Sequence, residues 1–432
     1  MSFRRVRRKS PAVLLILFCF VTRPINCQKT LENLTPTVVT PSATTNAWRH
    51  LSFSRAGLTI SNQDGTSYAR VHGYLEADGR FFATNLKDQR HDQLLFRRVR
   101  PIVEGKLTGS VSFRFMPDFG EGLVVIQEVF TDWKPVSAAG LSLGKFKTPL
   151  GLEILRPDPD LTFSERSLAS DLLPIRDLGA QVDGSFFQNA VTYELGFLSG
   201  TADGTNANFE WRGTNEAVAR AVFQPFAANA RAALRQLGIG IALSNGHSRG
   251  DLPCFKTIGQ QTFFRYAPGT FADGQHKRAS PQAYYYFGSF GLLAEYVISG
   301  QTVATDTARR YLSNRGWEVA GSFVLTGEKN SYDSIQPAHA FEPAAGLQHM
   351  GAWEIAFRHS ALDVDRSAFP VYAAPADSAR QAGESAVGLN WYVNRYAKVM
   401  ADFEYTSFHM VTNTIPRLCP ERVLMTRLQF SF

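Results

Sequence analysis

The chain has 432 residues, with 45 Lys and Arg against 38 Asp and Glu. Six of the basic residues and none of the acidic ones fall within residues 1–27, so the remaining chain has 39 basic and 38 acidic residues and is nearly neutral. The basic overall charge therefore does not indicate a nucleic-acid partner. Any preference for anions has to come from where the charges lie.

The N-terminus has the pattern of an export signal. A basic stretch over residues 4–9 precedes a short apolar stretch over residues 11–21, which is too short to span a membrane as a helix. We therefore predict a signal peptide over residues 1–27 rather than a membrane anchor. Residues 28–66 are rich in Thr, Asn, Ser and Pro and have weak periodicity, which predicts a flexible leader.

From about residue 68, apolar and polar residues alternate with a period of two, which is typical of strands. In the first such stretch, Val71 and Leu75 would lie on one face, and Arg70 and His72 on the other. A soluble antiparallel sandwich would alternate in the same way, with its polar face outward. Alternation alone therefore does not separate a sandwich from a membrane barrel.

The links between strands and the length of the chain favour the barrel. Links are short at 188–189 and 393–395, and long and polar at 245–282, 327–351 and 361–383. Short turns at one end and long loops at the other are the outer-membrane pattern, and about ten residues per strand fits about 16 strands. We predict an all-β protein whose residues 67–432 form a transmembrane antiparallel β-barrel of about 16 strands in the bacterial outer membrane.

The last strand supports the same prediction. Leu428, Phe430 and Phe432 share one face of an alternating segment that ends the chain. A terminal aromatic residue resembles the signal by which the assembly machinery of outer-membrane barrels recognises its clients, so we expect that machinery to bind Phe432. An ordinary edge strand is the alternative, but a soluble protein has little reason to end a strand on an exposed phenylalanine.

The segment from Leu141 to Gly179 interrupts the alternation. A short strand ends near Pro149 and Gly151, because proline lacks the backbone donor and glycine weakens a strand. The residues that follow keep many apolar side chains, which need a surface to pack on, and long connections in compact β domains are functional or disordered. We predict that this segment folds into the barrel as a constriction loop. The candidate anion-binding residues there are Lys145, Lys147, Arg156, Arg166 and Arg176.

Several short motifs lie in and around this segment: GKFKTPLGLE at 144–153, TFSERSL at 162–168, PIRDLGAQVDG at 174–184, RRVRP at 97–101 and FRFMPDFG at 113–120. As a set they resemble the phosphate-selective porin O and P family of bacterial outer membranes. The matching motifs cover about residues 71–200, and beyond them only the architecture is similar. The resemblance implies a homotrimer of barrels, in contact with outer-membrane lipid, whose basic pores favour small anions such as phosphate.

A second basic set lies on the expected lumen face of the early strands: Arg98, Arg100, Lys106 and Arg114. The resemblance implies a basic ladder along the pore wall, matched here by strand position only. The alternative is that acidic neighbours neutralise both basic sets. We predict a channel for passive diffusion that prefers anions and selects phosphate. The alternatives are a porin without phosphate selectivity, and an outer-membrane receptor or adhesin that acts through its long loops.

Cysteine and histidine usage indicates neither a metal site nor catalysis. Cys254 and Cys419 fall in polar segments that read as loops on the extracellular side, so we predict that they form a disulfide. Neither belongs to a Cys-x-x-Cys motif, and no histidine falls in a zinc or catalytic motif. We therefore predict no catalytic residues, no metal and no cofactor, and the enzyme class is disfavoured.

Overall fold

The computed structural model describes residues 48–54, 57–83, 91–207, 214–227, 232–346, 348–376, 378–411 and 418–432. Its strands are β1 (Trp48–Ser54), β2 (Gly57–Asn62), β3 (Tyr68–Phe82), β4 (Gln93–Lys106), β5 (Val111–Asp118), β6 (Val125–Val136), β7 (Ala139–Lys147), β8 (Arg176–Phe186), β9 (Val191–Leu198), β10 (Asn215–Phe223), β11 (Gln236–Gly250), β12 (Phe255–Lys256), β13 (Thr262–Phe264), β14 (Phe271–Phe287), β15 (Phe290–Ala304), β16 (Arg309–Val324), β17 (Ala352–Asp363), β18 (Gln381–Tyr392), β19 (Ala397–His409) and β20 (Glu421–Ser431). The two-residue β12 pairs only with β13.

Sixteen of these strands close into a barrel. From β3 to β11 each strand pairs antiparallel with the next, β11 pairs with β14, and the pairing continues to β20. β20 then pairs with β3, from Val423 opposite Phe82 to Ser431 opposite Tyr74. The predicted barrel of about 16 antiparallel strands is confirmed.

Side chains alternate between an apolar outer surface and a polar interior. On β19, Phe403 is 51% exposed on the outside, whereas its neighbours Asp402 and Glu404 are buried. On β17, Phe357 is exposed and Arg358 is buried. A soluble sandwich has the opposite arrangement, because its outward face is the polar one. An apolar outer band around a polar interior is what a barrel in lipid requires.

The links lie at two ends of the barrel. The turn end holds links 107–110, 137–138, 187–190, 224–235, 288–289, 325–351 and 393–396; the loop end holds 83–92, 119–124, 148–175, 199–214, 251–270, 305–308, 364–380 and 410–420. The long link 325–351 therefore lies among the short turns. The prediction that it belongs with the long loops is wrong, because antiparallel pairing alone decides the end at which a link lies.

The predicted loop over residues 245–282 is also corrected. β11 continues to Gly250 and β14 begins at Phe271, so His276, Lys277 and Arg278 lie within a strand. His276 and Arg278 are buried in the interior. The segment is polar because its inner face meets a charged interior, and this polarity resembles that of a loop.

A hairpin precedes the barrel. β1 pairs with β2, and β2 pairs with β3 from Leu58 opposite Val71 to Ser61 opposite Tyr68. β2 thus takes the place beside β3 that β20 leaves vacant, and satisfies backbone groups of that edge. The predicted flexible leader of residues 28–66 is corrected for residues 48–54 and 57–62, which form strands. The predicted signal peptide lies outside the described residues.

The segment 148–175 folds into the barrel, as the sequence predicts. It contains one helical turn, α1 (Leu152–Leu155), and two 3₁₀ turns, Asp158–Asp160 and Leu168–Leu172. Across the described residues, no helix is long and apolar enough to cross a membrane. Buried apolar side chains of the segment pack with side chains of the surrounding wall, and they include Leu150, Ile154, Leu168, Leu172 and Leu173.

Two glycines of the wall make room for this inward segment. A Cβ atom on Gly316 of β16 would lie 2.9 Å from Cα of Ala169, which is closer than carbon atoms approach. A Cβ atom on Gly388 of β18 would lie 3.1 Å from the ring of Phe163. The segment therefore sits against β16 and β18 and leaves open space beside the opposite wall.

We predict that Gly316→Val displaces the inward segment while the barrel still forms. The new side chain would overlap the backbone of Ala169, so single-channel conductance in planar bilayers should rise and become noisier. Gly321→Val, in the same strand, is the matched control, because a Cβ atom there meets only Gly291 O at 3.8 Å. Equal conductance for Gly316→Val and the unaltered chain would contradict the position of the segment against β16.

Candidate functional site

The inward segment is closed at its base by hydrogen bonds. The backbone N–H of Thr148 donates to Ile175 O at 3.3 Å, and the Thr148 hydroxyl donates to Pro174 O. The two ends of the segment continue directly into the paired strands β7 and β8. The segment therefore leaves the wall as a closed loop between β7 and β8.

Asp158 lies at the centre of the charged cluster. It opens a 3₁₀ turn after Pro157 and is buried. Its carboxylate contacts four guanidinium groups and one phenol: Arg100 Nη1, Arg166 Nη1 at 2.7 Å, Arg98 Nη2 and Arg176 Nη2 at 3.8 Å each, and the Tyr74 hydroxyl, which donates at 3.1 Å. One carboxylate thus joins the inward segment to the barrel wall.

The electrostatics of Asp158 follow from these neighbours. Burial by itself would raise the pKa of the Asp158 carboxyl, because it disfavours the charged form. Arg166, Arg98 and Arg100 outweigh burial and hold that pKa well below its usual range. Asp158 is therefore a permanent negative charge within a ring of positive ones.

Glu165 forms a second contact of the same kind nearer the loop end. Its carboxylate accepts from Arg97 Nε at 2.5 Å and lies 3.6 Å from Arg80 Nη2, 3.6 Å from Arg98 Nη2 and 3.7 Å from an Arg427 nitrogen. Burial would raise the pKa of Glu165, and the arginines, Arg97 foremost, lower it instead. Arg98 touches both carboxylates and so links the two clusters.

Four of the five residues predicted for the constriction meet around Asp158 or the backbone beside it. Arg166 and Arg176 contact its carboxylate, and Arg176 also donates to Glu128 Oε1 at 3.0 Å. Lys147 Nζ donates to Arg156 O at 2.5 Å. The Arg156 guanidinium itself points the other way and donates to Tyr332 O at 2.8 Å, in the link 325–351.

Lys145 lies apart from this group. It is buried, and its ammonium donates to Ile126 O at 2.7 Å on β6. It lies two residues before Lys147, but Gly144 has φ +132° and interrupts the regular strand just before it. The structure therefore brings together Lys147, Arg166 and Arg176 with the backbone of Arg156, and leaves Lys145 in the wall.

The predicted basic ladder on the wall is divided in the same way. Arg98 and Arg100 contact Asp158, and Arg100 also donates to Asp118 Oδ2 at 2.6 Å. Arg114 lies towards the turn end and bridges Glu104 at 3.1 Å and Glu128 at 3.0 Å. Lys106 ends β4 opposite Tyr68, beyond Arg114 and away from Asp158.

Open space lies on both sides of Asp158. On the loop side a vestibule of about 380 Å³ is lined by Arg97, Arg166 and Lys256, among others. On the turn side two spaces of about 300 Å³ each are lined by Arg114, Lys147 and Lys398, among others. These three spaces together are lined by ten Lys or Arg and seven Asp or Glu side chains. The lining is therefore charged in both signs, with a basic excess.

From the sequence, acidic neighbours are expected only to neutralise the two basic sets, so the central places of Asp158 and Glu165 are not predicted. Tyr74, Glu76 and Arg427 are missed as well. Glu76 accepts from Arg98 Nη1 at 2.5 Å, and Arg427 holds Asp78 through two hydrogen bonds of 2.7 Å each. Glu76, Asp78 and Arg427 occupy inward positions in the alternating pattern, and this was the only, weak signal for them. Their partners lie on strands that are distant along the chain, and local patterns do not reveal such partners.

The described residues contain no group of three or more His, Cys, Asp or Glu side chains arranged to hold a metal ion. Cys254 and Cys419 are both exposed and lie in links 251–270 and 410–420, which share the loop end. Cys254 also lines the vestibule. The disulfide between them stays a prediction.

The family described as phosphate-selective porin O and P matches residues 70–432. The chain belongs to this family. It is a bacterial outer-membrane porin, so the family and the location predicted from the motifs are confirmed. Porin O of Pseudomonas aeruginosa is 23% identical over 407 residues, which cover 83% of this chain and 87% of that protein.

Solved outer-membrane proteins share the fold of the porin. The channel DcaP of Acinetobacter baumannii superposes with a TM-score of 0.56 at 9% identity and covers 88% of this chain and 99% of its own. The trimer form of OmpT of Vibrio cholerae superposes with a TM-score of 0.52 at 10% identity, covering 85% of this chain and all of that one. At these identities the likeness shows the fold alone.

We predict that Asp158→Asn increases the anion preference of the porin. The change removes the negative charge within the arginine ring, and a unit charge about 4 Å away in water is worth about 1 kcal/mol, or roughly fivefold in the anion-to-cation permeability ratio. Reversal potentials under a salt gradient would measure it. Asp306→Asn, in an exposed link at the loop end, should leave the ratio unchanged, and equal shifts in both variants would contradict a central place for Asp158.

Proposed function

We propose that this porin prefers anions and that phosphate is among the solutes it passes. The observation that supports this most is the ring of Arg98, Arg100, Arg166 and Arg176 around Asp158, with open space on both sides. Guanidinium groups offer phosphate a planar pair of donors. The basic excess of the lining acts in the same direction.

Asp158 gives this arrangement a way to release what it binds. An arriving anion would compete with the Asp158 carboxylate for the same guanidinium donors. Conduction needs binding that is strong enough to admit an ion and weak enough to let it leave. A resident carboxylate lowers the affinity of each arginine for a passing anion, so the anion moves on to Lys147, Arg114 and then Lys398.

One observation favours the alternative of a porin without phosphate selectivity. Arg100, Arg176 and Arg114 each contact a carboxylate of the wall besides any contact with the inward segment. Charge that is already paired attracts a mobile anion less than free charge does. A weak general anion preference is therefore the second candidate function. An experiment can distinguish it from selectivity for phosphate.

We extend a trimer to this chain, because a solved structure with the same fold is a trimer.

We also propose that the barrel-assembly machinery recognises Phe432. The backbone of Phe432 exchanges two hydrogen bonds of 2.9 Å with Gly73, and Phe432 is 50% exposed. Its ring therefore lies exposed beside the junction of β20 and β3, where the barrel closes.

We predict that the double variant Lys147→Glu and Arg166→Glu moves permeation towards cations. It reverses two charges in a confined space, where screening by salt is weak. The reversal potential in a potassium chloride gradient should change sign. Arg310→Glu, an exposed position at the loop-end rim, is the control and should shift it little, because a Debye length of about 8 Å screens it.

Phosphate selectivity needs its own measurement with the same proteins. If phosphate is a preferred solute, millimolar phosphate should reduce the chloride current of the unaltered porin and have no such effect on the double variant. If phosphate does not reduce the chloride current, but the reversal potential of the double variant changes sign as expected, the porin has a general anion preference. Selectivity for phosphate would then be excluded.

The vestibule should also make anion preference depend on pH. Asp171 lines it, and desolvation raises the pKa of this carboxyl to about 7. Below that pH the group is neutral, and above it adds one negative charge, so the anion-to-cation permeability ratio should fall between pH 6 and pH 8. Asp171→Asn should remove this dependence, and an unchanged dependence in the variant would assign it to another group.

A further inference from the structure

The outer surface of β10, β11 and β14 changes character along a line that the strand register defines. On β11 the outward residues Ile239, Ile241 and Leu243 give way to Asn245, His247 and Arg249. On β14 the outward residues from Phe287 to Ala279 are apolar or aromatic and give way to Lys277 and Gln275. Asn245 pairs directly with Lys277, so the change occurs at the same height on both strands.

This line faces the outer leaflet. It lies on the loop-end side of the apolar band, and long loops mark the extracellular side of outer-membrane barrels. Lys277 and Arg249 are exposed on the outer wall, and within the described part of the chain neither has an ion-pair or hydrogen-bond partner. Asp273 stands opposite Arg249, but its carboxylate pairs with Arg309 at 3.3 Å.

An apolar groove begins at the same height. Its volume is about 740 Å³, and its outward lining includes Leu141, Val182, Leu195, Phe197, Ala217, Ala219, Leu243 and Asn245. Ala217 pairs with Phe197 on one side and Asn245 on the other, and Ala219 pairs with Leu195 and Leu243. The groove exists because two alanines stand between larger side chains.

We propose that this groove and the cations beside it bind one anionic, phosphate-bearing lipid of the outer leaflet. Its acyl chain would lie over Ala217 and Ala219, and its phosphate would contact Lys277 and Arg249. Lys277 is two strands from Ala217, about 10 Å at a strand spacing of about 4.8 Å, which a lipid can span from headgroup to chain. The site lies outside the pore and is independent of pore selectivity.

The charges decide between a lipid and a second copy of the chain. A groove within the apolar band is filled in the membrane, because hydrocarbon leaves no void there. A neighbouring barrel would cover Lys277 and Arg249 and would have to supply matching carboxylates, and burying unpaired charges is costly. An anionic headgroup supplies that charge while its chain fills the groove. Lysines and arginines near a membrane surface are each worth about 1 kcal/mol towards anionic lipid.

The test is native mass spectrometry of the full-length porin in detergent, titrated with a diacyl phosphatidate or with phosphatidylethanolamine of the same chains. We expect the phosphatidate to bind more tightly. Lys277→Ala with Arg249→Ala should weaken it by about 25-fold, taking about fivefold per charge. Ala219→Phe should fill the groove and weaken both lipids. Inorganic phosphate at the same concentration should not displace the phosphatidate, because it lacks the chain.

Two matched variants serve as controls. Lys329→Ala removes an exposed lysine at the turn end, and Ala294→Phe enlarges an outward alanine of β15 away from the groove; both should bind phosphatidate like the unaltered porin. Heat-modifiable migration on gels would show that every variant is folded. Equal affinity of the double alanine variant and the unaltered porin would overturn the proposal. A loss of oligomer without a loss of lipid in Ala219→Phe would also overturn it and assign the groove to a second copy.

Discussion

The carboxylate of Asp158 is the contact on which the pore depends. It lies on a segment that enters the barrel from the loop end, and it binds arginines that come from β4, from its own segment and from the start of β8. Removing one partner from a buried charge network of this kind costs about 3–5 kcal/mol, because the remaining charges stay buried without compensation. The same interaction therefore ties the inward segment to the wall and places one negative charge among the arginines.

Apolar packing decides on which side the pore lies. The inward segment buries leucines and isoleucine against the wall and lies against Gly316 and Gly388, where the wall has no side chains. The segment thereby fills the space beside β16 and β18. The open spaces around Asp158 lie beside β3–β8, where the arginines are, and on the turn side they also reach residues of β18–β20. Hydrophobic burial and charge pairing act together on this one segment, and the spaces that remain are lined by residues of both signs.

The barrel has a charged inner surface and a largely apolar outer surface. Inside, acidic side chains surround buried arginines, as Glu384 and Glu404 do around Arg358. Outside, an apolar band meets lipid, and its upper boundary follows the strand register from Asn245 to Lys277. The interior lines the path through the porin, and the outer boundary marks where polar side chains replace the apolar band. Arg278 faces the interior and its neighbour Lys277 faces outward, because successive side chains in a strand point to opposite sides.

The sequence by itself determined the class of the protein. Successive segments with a period of two from about residue 68, an aromatic C-terminus and the motifs around residues 144–184 predict an outer-membrane barrel with an inward segment, because alternation and turn residues are local properties of the chain. Only the tertiary structure decided which charges meet. Lys145 and Lys147 have the same sequence signal, yet one is held in the wall and the other beside Asp158. Tyr74 and Arg100 reach Asp158 across 84 and 58 residues, and no local pattern encodes that distance, because it depends on how the whole barrel closes.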